Sequence, residues 1–83
     1  FIEPAWNIVA EVEAAVEKHS AADVGAAGHK LKSSSRAVGA NRLSDLCLVL
    51  EMAGKADDWD TIDAEFPRLR PLMSDVENFI RSL

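Results

Sequence analysis

From Ile62 to Leu83 the apolar residues Ile62, Phe66, Leu69, Met73, Val76, Ile80 and Leu83 follow one another at steps of four and three. Such steps line one stripe of a helix and cannot line one face of a strand, whose period is two. Pro67 and Pro71 fall inside the run. A proline within a helix removes a backbone hydrogen bond and clashes with the preceding turn, so this helix is expected to kink or break near Pro67. The same periodicity recurs upstream. Ile2, Ala5, Val9, Val12 and Val16 mark a helix over about 3–18, with Trp6 beside them and Pro4 in its first turn. Ser20 with Asp23 resembles a capping box and opens a second helix that Gly39 should stop near Val38. Asn41 reads as the cap of a third, with Leu43, Leu46, Cys47, Leu50 and Ala53 on its inner face before Gly54 and the acidic turn Asp57-Asp58. Four amphipathic segments joined by short turns predict an all-α chain, an up-down antiparallel four-helix bundle.

Composition bounds the function. At 83 residues the chain makes one domain with one core and no room for an internal active-site cavity. The lone cysteine, Cys47, cannot form an internal disulfide, which fits a reducing compartment, so we expect a cytoplasmic protein. No apolar run approaches the roughly 18 residues that span a bilayer, and insertion in a membrane is not expected. The net charge of −5 has the wrong sign for a nucleic-acid partner. Yet residues 24–44 hold Lys30, Lys32, Arg36 and Arg42 and no acid, a local charge of +4 that leaves −9 on the rest.

That basic island lies on the second helix. Its inward stripe reads Val24, Ala27, Leu31 and Val38, with Ser35 among them, so His29 on the other side points to solvent. Around His29 at helical spacing stand Gly25 and Ala26 on one side and Lys32, Ser33 and Arg36 on the other. Glycine in a helix interior costs about 1 kcal/mol against alanine. Gly25 and Gly28 therefore answer to something other than helix stability: close helix packing, or access to the histidine. An exposed imidazole nitrogen can attack phosphorus, and a lysine one turn away can offset the charge that arrives.

The run Gly28-His29-Lys30-Leu31-Lys32-Ser33-Ser34-Ser35, then Val38-Gly39-Ala40, Leu43, Leu46-Cys47, Leu50 and Glu51, resembles the histidine-containing phosphotransfer (HPt) domain of bacterial two-component phosphorelays. The motif spans about 24 residues, and the rest of the chain agrees in pattern, with Asp58-Trp59 introducing the tail helix. The resemblance implies that His29 accepts a phosphoryl group from a receiver-domain aspartate and passes it to another. It implies that Lys32 stabilises that group and that Gly25, Ala26, Gly28, Lys30, Ser33 and Arg36 meet the receiver. Where the family usually has glycine, this chain has Ser33. No cofactor is expected on the domain itself, and magnesium is expected in the partner receiver. The domain should be a monomer and an intermediate without autonomous kinase activity, since no Gly-rich phosphate loop is present. The chain opens on Phe1, and we expect a single domain, residues 1–83, cut from a longer protein such as a hybrid sensor kinase, whose cytoplasmic part it would be.

Two other readings compete. One is a helical adaptor whose exposed histidine is incidental. The other is the dimerising domain of a histidine kinase, where an acid usually follows the histidine; here Lys30 does. The remaining signals read as structure: His19 as a helix-end surface residue, Cys47 as a small buried hydrophobe, and Trp6 and Trp59 as anchors. Asp57, Asp58 and Asp60 read as caps, and no spacing of His19, His29 and Cys47 suits zinc. Leu48 and Met52 fall off the core stripe and suit either a partner interface or contact with a further helix.

Overall fold

A computed structural model describes all residues from Phe1 to Leu83. The chain forms α1 (Ile2–Glu17), α2 (Ala21–Ala37), α3 (Asn41–Lys55) and α4 (Trp59–Glu65), then a single 3-10 turn (Phe66–Arg68) and α5 (Leu69–Arg81). Pro67 sits in that 3-10 turn, so the fourth rod is broken where a proline cannot donate. Pro71 falls in the first turn of α5 and is absorbed there. α2 packs on α1 and α3, and α5 closes the bundle against α3 and α1. The result is a four-helix bundle measuring 38 × 19 × 18 Å. No helix is long and apolar enough to cross a membrane.

Val9, Val12, Val24, Leu31, Leu43, Leu50, Ile62, Leu69 and Met73 are the large side chains fully buried in the core. Two residues assigned to stripes by spacing are exposed. Val38 is 48% exposed because α2 ends at Ala37 and Val38 leaves helical geometry, and Leu83 is 88% exposed because α5 ends at Arg81. Cys47 is buried, and burial pushes its thiol up to about 12, which makes it inert.

The three turns share one design. Each has three residues with the middle one left-handed: His19 (φ 57°), Gly39 (φ 77°) and Asp57 (φ 55°). In each the following N–H reaches back to the last turn of the preceding helix: Ser20 to Ala15, Ala40 to Ser35 and Asp58 to Ala53, all at 2.9 Å. This is the Schellman closure. Gly39 stops α2 as expected, but Gly54 stops nothing: it lies inside α3, and Asp57 ends that segment. One expected cap keeps its place without its side-chain bond, and another is replaced. Ser20 has cap geometry but makes no side-chain cap bond, and Asp23 pairs with Lys18 at 3.5 Å instead. Ala40 rather than Asn41 caps α3, because the Schellman bond returns the chain to the helix one residue earlier. Asp58 does cap α4, accepting from the Thr61 N–H at 3.2 Å and from its hydroxyl at 2.6 Å. Trp59 anchors the same end: it stacks on His19 with ring centroids 3.8 Å apart and donates to Asp57.

Candidate functional site

The seam between α2 and α3 places the site. A Cβ on Gly28 would stand 3.1 Å from the Cys47 carbonyl oxygen and 3.2 Å from the Glu51 amide, and one on Gly25 would stand 3.3 Å from the Glu51 carbonyl oxygen. The closest approach is at Gly54, whose Cβ would lie 2.5 Å from the Gly25 nitrogen. Three glycines therefore let two backbones touch, and that contact brings a side chain of α3 up to a residue of α2.

The side chain is Glu51 and the residue is His29. Glu51 Oε2 lies 2.9 Å from His29 Nδ1, while Oε1 accepts from Lys32 Nζ at 2.6 Å and Lys55 Nζ forms an ion pair with Oε2 at 3.2 Å. The Glu51 side chain is only 6% exposed, yet its carboxylate is held down to about 2, first by the Lys32 hydrogen bond and then, against the cost of burial, by Lys55 and His29. A buried carboxylate persists only when paired in this way. At neutral pH it can only accept, so Nδ1 carries the proton and the lone pair of the neutral ring resides on Nε2. His29 is 61% exposed, so that nitrogen faces solvent.

The other residues singled out from the sequence separate by where their side chains lie. Ala26, Ser33 and Arg36 are exposed on the His29 side of α2, and Ser33 donates weakly to the His29 carbonyl at 3.3 Å. Gly25 and Gly28 are buried against α3, although Gly25 still floors a shallow depression that His29, Ala26 and Lys55 border. Lys30 turns the other way and pairs with Glu11 of α1 at 2.7 Å, both side chains half exposed. Lys32 is the opposite of a solvated lysine, its side chain 15% exposed. Met52 is 62% exposed and Leu48 half-buried beside Lys32 and Lys55. Glu51 and Lys55 were not among the residues given a role by sequence, although an acid next to the apolar stripe Leu43, Leu46, Cys47, Leu50 was a signal. No three His, Cys, Asp or Glu side chains converge as metal ligands.

The family model of the Hpt domain matches residues 1–79. The chain belongs to the Hpt domain family. No curated protein and no solved structure gives a match. Hpt domains serve histidine phosphotransfer in two-component phosphorelays, as intermediates rather than autonomous kinases, and their partners are receiver domains.

Proposed function

We propose that His29 is the phosphoryl carrier of this Hpt domain, taking the group from one receiver aspartate and delivering it to another. The observation that carries this reading is the exposed imidazole whose Nδ1 is fixed on the ionised Glu51 carboxylate, leaving Nε2 free. The Nε2 lone pair attacks the phosphorus of an aspartyl phosphate and forms the N–P bond. The P–O bond breaks, its electron pair returning to the aspartate carboxylate. The ring becomes an imidazolium whose proton stays on Nδ1, donated in a hydrogen bond to Glu51, so no proton has to travel. Donation to the second receiver reverses these steps.

Lys32 supplies fixed positive charge one turn from His29. Ser33 and Arg36 form the polar part of the contact surface, with Ala26, Met52 and Leu48 as its apolar part. The receiver brings its own magnesium ion and acidic pocket, and opposite charge on α2 speeds and orients docking. We place the domain in the cytoplasm, as a monomer.

Intact mass tests the reading. The domain is mixed with a phosphorylated receiver and magnesium beside a His29→Gln variant of verified helicity. An acid-labile phosphoryl adduct absent from the variant is expected. No adduct across several receivers would instead support a helical adaptor.

A further inference from the structure

Glu51 holds two lysines that differ in freedom. Lys32 is short-bonded at 2.6 Å and only 15% exposed, whereas Lys55 reaches Oε2 at 3.2 Å from the last residue of α3 with its side chain 73% exposed. Oε2 is also the oxygen that holds His29 Nδ1, so Lys55 and the imidazole share one acceptor. Lys55 borders the depression that contains His29 and the one that contains Lys32 and Met52.

Charge decides what happens on phosphorylation. With a neutral imidazole, the resting cluster of His29, Glu51, Lys32 and Lys55 carries one positive charge in excess. A phosphoryl group on Nε2 adds up to two negative charges and makes the ring cationic, which brings the cluster to neutrality. The cationic ring then binds Oε2 with both partners charged, more strongly than the neutral ring did. The phosphoryl oxygens offer Lys55 more negative charge than an Oε2 already engaged by the cationic ring, and the ion pair of so exposed a lysine is weak enough to release at little cost. Lys32 cannot leave without stranding a buried anion.

We infer that Lys55 is the mobile cation of the site: it rests on Glu51 and moves onto the phosphoryl oxygens when His29 is phosphorylated, while Lys32 stays on Glu51 and keeps the ring in place. This rests on His29 being the carrier. Lys32 is then chiefly a positioning residue, and Lys55 the flexible partner of the phosphoryl group.

The test uses phosphoramidate as the phosphoryl donor, so that receiver docking plays no part. Phosphohistidine decay is followed at neutral pH in low and high salt for the native chain and for Lys55→Ala, Lys55→Arg and Lys32→Ala, with helicity verified and the resting His29 tautomer read from imidazole nitrogen shifts. Lys55→Ala should shorten the lifetime about twofold to fivefold and blunt its salt dependence, with the tautomer unchanged. Lys55→Arg should restore the lifetime, and Lys32→Ala should disturb the tautomer. A native lifetime and salt response in Lys55→Ala overturns the inference, as does a shifted resting tautomer in that variant, which would make Lys55 a prop for Glu51. Absence of any adduct on the native His29 overturns the carrier reading and this one with it, and is seen before any variant is compared.

Discussion

Where α2 meets α3, glycines 25, 28 and 54 bring two backbones into contact; where α1 meets α5, long side chains span the gap. At the second seam Trp6 donates to Glu77, and Arg70 lies 5.3 Å over the Trp6 ring while binding Glu13 through two hydrogen bonds of 2.8 and 3.0 Å. Backbone contact leaves no slack, so it can hold a carboxylate at a fixed distance from an imidazole. Exposed arginines and a half-buried indole adjust to their neighbours and cement the bundle without fixing any one distance.

Gly54→Ala should break the contrast most sharply. Its Cβ meets backbone at 2.5 and 2.7 Å, which cannot rotate aside, so α2 and α3 must separate. A loss of about 3 kcal/mol in urea unfolding is expected, at the upper end of overpacking costs. A variant as stable as the native chain would show that the seam has slack after all.

Ser33→Leu comes next. Ser33 is exposed one turn beyond His29, so a large side chain there leaves the seam intact but obstructs the receiver. Transfer should fall about tenfold or more at unchanged stability, while Ser33→Gly transfers normally. Normal transfer in the leucine variant would remove this face from the contact.

A smaller effect follows from Glu51. Its carboxylate is held at about 2 against an ordinary 4.5, so the unfolded chain binds more protons between these values. Its contribution is complete above about pH 4.5 and is lost as pH falls through the folded value. Glu51→Gln should therefore lose less stability than the native chain between about pH 5 and 2. Asp58 and Glu77, lowered by Thr61 and Trp6 respectively, keep a residual slope. Identical acid limbs would mean that the Glu51 pairs contribute nothing to folding.

The smallest effect is predicted at the side-chain seam. Arg70→Ala removes an exposed ion pair and should leave the urea midpoint unresolved from native. A large loss there would make the two seams equals.

Much of this was legible from spacing. The four rods and the break at Pro67 follow from apolar periodicity and one missing donor, and the exposure of His29 follows from Val24, Ala27 and Leu31 on the far side of α2. The turns were harder. Only Gly39 announces a left-handed residue by its type; His19 and Asp57 adopt the same conformation because the Schellman bonds around them require it. Helical spacing also finds neighbours on one element alone. Lys32 could be placed beside His29, but Glu51 stands 22 residues away and reaches it only through the glycine seam. For the same reason Gly25 and Gly28 could not be assigned between packing and access until α3 was in place.

The three three-residue turns carry a kinetic consequence. Each of the first three helices packs on the next in sequence, and the closure of α5 on α3 and α1 supplies the longer-range contacts. Chains of such low contact order fold in microseconds to milliseconds. Partner proteins at micromolar concentration arrive only about 0.1 to 10 times per second. Any transient opening of the glycine seam therefore heals well before the next encounter, and successive partners meet the same arrangement of His29 and Glu51.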